Sequence, residues 1–263
     1  MRIAANLSML FTERPLAGRF AAAAAAGFDA VEIQFPYDQP VDALRAAAED
    51  AGLPLVLINL PAGDLAAGEV GLASLPSREA EFRAAVDLCL SYARPLGVRK
   101  VNVLAGRPPD MGDARVMRTL AANLRAAGDR FGEAGIAVQV EAVNPIDVPG
   151  FLLTGLDHAL QAIAAADHPN LHLQFDLYHM ALTEPSLETA VRRAGPRIGH
   201  VQFADAPGRH EPGTGGLDFA AALRALGAAR YDDVVSAEYR PVGRTEDGLG
   251  WLPEFRRLLA EIG

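Results

Sequence analysis

Hydrophobic and polar positions alternate with period two in four short runs of the C-terminal half: VQVEA at 138–142, LHLQFD at 171–176, IGHVQF at 198–203 and VVSAE at 234–238. One parity carries Val138, Val140, Leu171, Leu173, Phe175, Val201, Phe203, Val235 and Ala237. The other carries Gln139, Glu141, His172, Gln174, Asp176, His200, Gln202, Ser236 and Glu238. A period of two is the signature of a strand with two unlike faces. Each run ends in a side chain able to hold a metal or a proton, and Glu141, Asp176, Gln202 and Glu238 follow one another at 35, 26 and 36 residues, about one strand-helix unit apart. A sheet that turns its aliphatic face to covering helices and its polar face to a common centre is a barrel with a functional interior.

The rest of the chain supplies matching repeats. Strands are expected near 2–6, 30–35, 53–60, 100–105, 137–143, 171–178, 198–204 and 234–239. Helical patterns follow at 15–26, 41–51, 77–96, 113–134, 154–166, 184–194, 218–229 and 250–262, rich in Ala, Leu, Arg and Glu. The alanine block Ala21–Ala26 reads as a helix closed by Gly27, and Gly52, Gly97, Gly135 and Gly227 are read as closing others. The expected fold is therefore α/β, a single (β/α)8 TIM barrel filling 1–263 as one domain. A doubly wound open sheet would place G-x-G-x-x-G after the first strand, and nothing of that kind follows Asn6.

Length agrees with this architecture, since 263 residues is a typical barrel size and a chain of that length buries about 75% of its unfolded surface. A formal charge of −9 argues against polyphosphate partners, so no nucleic acid is expected. The N-terminal MRIAANLSMLFTERP is too short in apolar residues for a signal sequence, and no apolar run approaches the ~20 residues of a membrane span. No membrane association is expected, and the location is expected to be cytoplasmic. Cys89, the single cysteine, excludes an intrachain disulfide and reads as a buried thiol on a helix.

The candidate chemistry lies at the C-terminal strand ends, where barrel enzymes work. Glu141, Asp176, Gln202 and Glu238 form an all-oxygen set suited to a divalent metal ion, Mg²⁺ or Mn²⁺ rather than a thiophilic ion. Such an ion acidifies a carbon-bound hydrogen beside a carbonyl, and two glutamates can then remove and return a proton. His179 is a candidate for polarising a substrate carbonyl, and Arg209, in the loop DAPGRHEPGTGG, for gripping a substrate carboxylate. Glu32 and Asn102 share the inward parity, and Lys100, at the start of its strand, is expected at the opposite mouth. The cluster Gly213–Gly216 reads as a turn, with anion binding as the alternative. The connection Pro61 to Pro76 is long for its kind and suggests a lid or an interface segment, which leaves a homo-oligomer open.

Longer motifs carry a resemblance over nearly the whole chain: ANLSMLF at Ala5, FPYD at Phe35, NLPAGDLAAGE at Asn59, EAVNPIDVPGF at Glu141, QFDLYHM at Gln174 and GHVQFADAPGRHEPGTG at Gly199. In these it resembles the hydroxypyruvate isomerase family of xylose-isomerase-like barrels. The resemblance implies Glu141 and Glu238 as the acid/base pair, Glu141, Asp176, Gln202 and Glu238 as metal ligands, and a small hydroxy-oxo acid as substrate. Asn59, with His179 and Arg209, is expected to face that substrate. Relatives with this motif set act on 2-oxo-tetronate, which makes a four-carbon acid the alternative. Ketose epimerases commonly place a histidine where Gln202 stands. A dehydratase acting on a keto-polyol shares the barrel and metal site, whereas a repair nuclease of the superfamily needs a histidine-rich zinc site and a basic groove. Asn59 stands where that nuclease would have a third-strand histidine.

Overall fold

The computed structural model, which describes residues 1–262, closes eight parallel strands into a barrel in sequence order. The strands are β1 (Arg2–Asn6), β2 (Ala30–Ile33), β3 (Leu55–Asn59), β4 (Lys100–Asn102), β5 (Ala137–Glu141), β6 (Leu171–Asp176), β7 (Ile198–Phe203) and β8 (Val234–Ala237). The helices are α1 (Leu16–Ala26), α2 (Val41–Ala51), α3 (Glu79–Ala93), α4 (Ala114–Gly132), α5 (Leu156–Ala166), α6 (Leu177–Ala181), α7 (Leu187–Ala194), α8 (Phe219–Ala228) and α9 (Leu252–Ile262). Closure is made by β1 against β8, with Ile3 opposite Val235 and Ala5 opposite Ala237. The sequence-expected barrel is borne out. Gly263 lies outside the described residues.

The two parities sort as expected. Outward residues such as Val140, Leu173, Phe175, Val201 and Phe203 are fully buried under the helices. Phe203 meets Phe255 at 4.9 Å, Trp251 at 5.3 Å and Phe219 at 5.9 Å between ring centroids, so it ties β7 to α8 and α9. Truncating such a ring to alanine costs about 3–5 kcal/mol. Ala4, Ala30 and Val234, with Val56 against them, form a separate small apolar cluster, the dry counterpart of a largely polar interior. Cys89 is buried and free, and burial pushes its thiol up to about 12.

Several boundaries differ from the pattern. β4 ends at Asn102 instead of continuing to 105, because the chain turns toward the β3 connection and Gly71 bridges Ala105 antiparallel. That bridge brings Gly71 and Gly106 so close that a Cβ on either would lie within 2.4 Å of the other segment's backbone oxygen. The connection 61–76 is thus tied to β4 by main-chain contacts, including Ser74 N to Ala105 O at 2.9 Å. β6 stops at Asp176, whose side chain accepts from Tyr178 N at 2.8 Å and caps α6. The region 184–194 shortens to α7, which starts at Leu187. Gly27 and Gly52 close α1 and α2 in the left-handed conformation, as the sequence suggests. Gly227 instead lies inside α8, where a Cβ would meet Ile262 Cγ2 at 2.1 Å, so its smallness serves the α8–α9 contact.

Candidate active site at the C-terminal mouth of the barrel

Glu141 and Asp176 are the last residues of β5 and β6, Gln202 lies one residue before the end of β7, and Glu238 follows β8, held there by its N–H to Phe203 O at 3.0 Å. All four are at most 5% exposed. Strand register explains the convergence: Asp176 stands opposite Gln202, and Gln174 opposite Glu141. A cavity of about 120 Å³ opens at Glu141 and Glu238, with Gln34, Asn59, His179 and Arg209 as the rest of its polar lining, while Asp176 and Gln202 lie outside that lining. Phe35, Val70, Leu104, Val143, Val148 and Phe151 supply its apolar lining. That volume is far below the ~300 Å³ where drug-sized pockets begin.

Each carboxylate has its own partners. Glu141 Oε2 accepts from Asn102 Nδ2 at 2.7 Å. Glu238 Oε1 accepts from Gln34 Nε2 at 2.7 Å and Asn6 Nδ2 at 3.0 Å, and its Oε2 lies 2.6 Å from the Arg209 guanidinium. Asp176 Oδ2 is buried without a hydrogen-bond partner, with Arg209 Nη2 at 3.6 Å and His179 Nε2 at 3.5 Å. Burial, followed by the charges of Glu238 and Asp176, raises Glu141 well above the usual carboxylate range. Burial is also the main cause for Glu238, pushed up to about 7, and for Asp176, pushed up to about 6, with Arg209 opposing both. Each of these carboxylates therefore holds its proton to a higher pH than a free carboxylate does, and a cation joining them would favour the ionised forms.

His179 sits on α6, one turn beyond the end of β6, and is not on the strand. Its tautomer follows from Asn144. The Asn144 Oδ1 accepts from Ile146 N at 3.0 Å and Asp147 N at 2.9 Å, so its Nδ2 is the group that meets His179 Nδ1, at 2.7 Å. The Asn144 backbone N–H reaches the same ring nitrogen at 3.3 Å. His179 Nδ1 is therefore an acceptor, and the ring proton is on Nε2, 4.0 Å from Glu141 Oε1. Desolvation holds the ring pKa down to about 3, so the imidazole is neutral.

Glu141, Asp176 and His179 each offer a ligand atom within 4.8 Å of one another, a group able to hold a metal ion. The protonated Nε2 suits His179 less as a ligand than as a donor. The all-oxygen alternative fits better, since Asp176 Oδ2 is unpartnered and Gln202 Oε1, which accepts only from Gln174 Nε2 at 2.7 Å, keeps a second lone pair. Hard oxygens in this number suit a divalent cation.

The loop after β7 delivers Arg209. Its glycines wrap the buried Asp205, whose carboxylate accepts from Ala206 N at 2.9 Å, Gly213 N at 2.8 Å and Leu217 N at 3.0 Å. Within the cluster 213–216, Gly213 N is thus spent on Asp205, Thr214 N on Glu211 O at 3.2 Å and Gly216 N on Ala206 O at 2.8 Å, which favours the turn reading over the anion site. Arg209 adopts a left-handed φ of 58°, and its guanidinium lies 5.3 Å from the Tyr178 ring centroid. Asn59 is buried at the cavity edge, and its carbonyl accepts from Tyr37 Oη at 2.5 Å.

Asn6, Gln34 and Asn144 were not singled out by the sequence reading. Asn6 and Gln34 share the inward parity of β1 and β2 and were findable by extending the alternation to the N-terminal half. Asn144 lies in a loop and has no periodic signal.

A closed barrel with titratable strand ends gathered around a small half-polar cavity defines a barrel enzyme working on a small polar molecule. The chain belongs to the xylose isomerase-like TIM barrel family, whose model matches residues 20–255. It is 41% identical to hydroxypyruvate isomerase of Escherichia coli (strain K12), over 97% of this chain and 100% of that protein. It is 40% identical to 2-oxo-tetronate isomerase of Cupriavidus necator, over 97% and 98% of the two chains. Among solved structures it matches the crystal structure of AP endonuclease, family 2, from Brucella melitensis with a TM-score of 0.94 and 37% identity, covering 97% of this chain and 98% of that one.

Proposed function

We propose that this isomerase interconverts hydroxypyruvate and tartronate semialdehyde (2-hydroxy-3-oxopropanoate), with Glu141 and Glu238 as the acid/base pair. The observation that supports this most directly is two raised, buried carboxylates facing a cavity of about 120 Å³ that also holds one guanidinium and one neutral imidazole N–H.

The chemistry needs one carboxylate to take a proton from C3, giving an enediolate, and one to return a proton at C2. The C3 hydroxyl gives up its proton as C3 becomes the aldehyde, and the C2 oxygen takes up a proton to become the product hydroxyl, so no proton is gained or lost overall. A carboxylate whose pKa is raised above the ordinary range accepts a proton more readily than a free one, as the removal step requires. His179 Nε2–H donates toward the oxygen that gains charge, and a neutral imidazole does this without competing for the proton. Arg209 grips the substrate carboxylate by a charge-assisted pair. Asn59 borders the same space. Phe35, Val70, Val148 and Phe151 exclude water, which strengthens each of these interactions. Glu141, Asp176, Gln202 and Glu238 would hold Mg²⁺ or Mn²⁺. Bound there, the ion supplies positive charge that acidifies the carbon-bound hydrogen and stabilises the enediolate.

A four-carbon 2-oxo-tetronate is the second reading, supported by the similarity to the Cupriavidus protein. A ketose 3-epimerase is less favoured because Gln202 stands at a position where the epimerases commonly have histidine, and a keto-polyol dehydratase would release water. Nucleic acid is disfavoured by the charge of −9. Among the described residues no helix is long and apolar enough to cross a membrane, and we take the cytoplasm as the location and 1–263 as one working domain.

The deciding experiment compares kcat/KM for hydroxypyruvate and a 2-oxo-tetronate while following solvent deuterium incorporation by NMR. Preference for the three-carbon acid with exchange at carbon is expected. Preference for the four-carbon acid transfers the assignment to the second reading, and turnover of neither without exchange overturns the isomerase chemistry.

A further inference from the structure

A polar chain runs through the barrel interior, beneath the carboxylates, from the opposite mouth. Lys100 Nζ is anchored 2.6 Å from Asp233 Oδ2 and lies 3.4 Å from His200 Nδ1. His200 Nε2 lies 2.7 Å from Glu32 Oε2. Glu32 Oε1 accepts from Gln202 Nε2 at 2.7 Å and from Asn6 Nδ2 at 2.8 Å, and the same Asn6 Nδ2 lies 3.0 Å from Glu238 Oε1. Glu32 and His200 are 0% exposed.

The direction of every bond in this chain is fixed at its start. An ammonium can only donate, so His200 Nδ1 accepts and its proton is on Nε2. Glu32 therefore receives a donor from His200 and is left, as a carboxylate, able only to accept. Gln202 must then present its NH₂ end downward. Nothing else in the structure dictates this. The one other partner of the Gln202 amide is Gln174 Nε2, and Gln174 Oε1 is buried without a partner, so Gln174 would accommodate either orientation of Gln202. Asn6 differs, because its Oδ1 is independently fixed by Ser8 N at 2.9 Å.

We propose that Glu32 is a positioning residue that sets the orientation of the Gln202 amide, so that Gln202 offers oxygen rather than NH₂ to the carboxylate site. An NH₂ group turned into that site would repel a cation, so Glu32 acts on cation binding without touching the cation. The inference rests on the reading of Gln202 as a ligand. It extends that reading to a residue on β2 and to the Lys100–His200 pair that holds it.

The test is a double-mutant cycle read by Mn²⁺ binding to metal-free protein, using calorimetry. E32Q alone lets an NH₂ meet Gln202, frees the amide to turn, and raises the Mn²⁺ Kd about ten-fold, the low end of what outer-shell changes produce. In Q202E both ends of the side chain at 202 are oxygens, so no orienting is needed and E32Q also removes a like-charge contact. There E32Q leaves the Kd unchanged or lowers it. An equal rise in both backgrounds, or none in either, overturns the proposal. Should E32Q fail to fold, a neutron structure of the wild-type protein decides. Deuterons on the Gln202 atom facing Glu32 are expected, and oxygen there overturns the proposal. That measurement needs no metal. Absence of Mn²⁺ binding by the wild type would overturn the ligand reading while the neutron result still judged Glu32.

Discussion

Arg209 Nη2 lies 2.6 Å from Glu238 Oε2 and 3.6 Å from Asp176 Oδ2, so the guanidinium that lines the cavity balances two of the carboxylates gathered at the strand ends. The same atom that a substrate carboxylate would seek is engaged by the protein's own carboxylates. A cation bound among Glu141, Asp176 and Glu238, as proposed, would take over that balance and leave the guanidinium free for a substrate carboxylate. Arg209→Met therefore separates two effects. KM for the acid rises at least about ten-fold from loss of a charge-assisted pair. The metal-free variant loses about 3–5 kcal/mol of stability because buried charge is left unpaired, and Mn²⁺ restores most of it. Denaturant titrations with and without Mn²⁺ check this, and equal losses in the two conditions would remove Arg209 from the role of counter-cation.

Glu141 and Glu238 differ in their settings, since Glu141 Oε1 has only the His179 N–H at 4.0 Å while both oxygens of Glu238 are hydrogen-bonded. Both are nonetheless required if protons are removed and returned at adjacent carbons. Glu141→Gln and Glu238→Gln are each expected to lower turnover by about 10² or more with a native-like circular dichroism spectrum. Near wild-type rates in either variant would exclude that residue from proton transfer.

The pH dependence of stability carries a sign that can be checked. Glu238 is raised from its ordinary 4.5 to about 7, so between those values the folded protein holds a proton the unfolded chain has lost. Its contribution to stability is largest below pH 4.5 and falls as pH rises to 7. His179, lowered to about 3, acts oppositely, since the unfolded chain takes up a proton below 6.5 and stability falls on acidification. These effects overlap, and Asp176 and Glu141, also raised by folding, act in the same direction as Glu238, so the wild-type curve alone does not isolate Glu238. The difference between wild type and Glu238→Gln does. In metal-free protein the variant gains stability relative to wild type as pH increases from 4.5 to 7, measured by urea denaturation at fixed salt. A flat difference would show that the Glu238 pKa is not raised by folding.

The sequence revealed the barrel and the four converging strand ends because both depend on a period of two, which any strand with one wet face displays. What it could not reveal is direction: which end of an amide faces which neighbour, and which ring nitrogen holds a proton. Those properties depend on partners such as Glu32, Asn144 and Lys100, which come from strands and loops distant in sequence. The tethering of 61–76 was likewise hidden, because it rests on main-chain contacts between Gly71 and Ala105 that composition does not encode.

Asn144 gives the sharpest test of the tautomer argument. Its Nδ2 and backbone N–H both point at His179 Nδ1, which leaves Nε2–H as the donor facing Asp176 and Glu141. In Asn144→Asp the side chain keeps its acceptor contacts with Ile146 N and Asp147 N but offers oxygen to the ring. The proton is then drawn to Nδ1, Nε2 becomes a lone pair, and the donor proposed for the substrate carbonyl is lost. The imidazole also gains a carboxylate neighbour, which raises its pKa. Turnover should fall about 10–100-fold with little change in KM, because the lost hydrogen bond matters most where charge develops. The ¹⁵N shifts of the His179 ring report the tautomer directly, with Nδ1 of the pyridine type in wild type and of the pyrrole type in the variant. Unchanged turnover with a reversed tautomer would show that His179 does not donate in the reaction, and a pyrrole-type Nδ1 in wild type would overturn the tautomer itself.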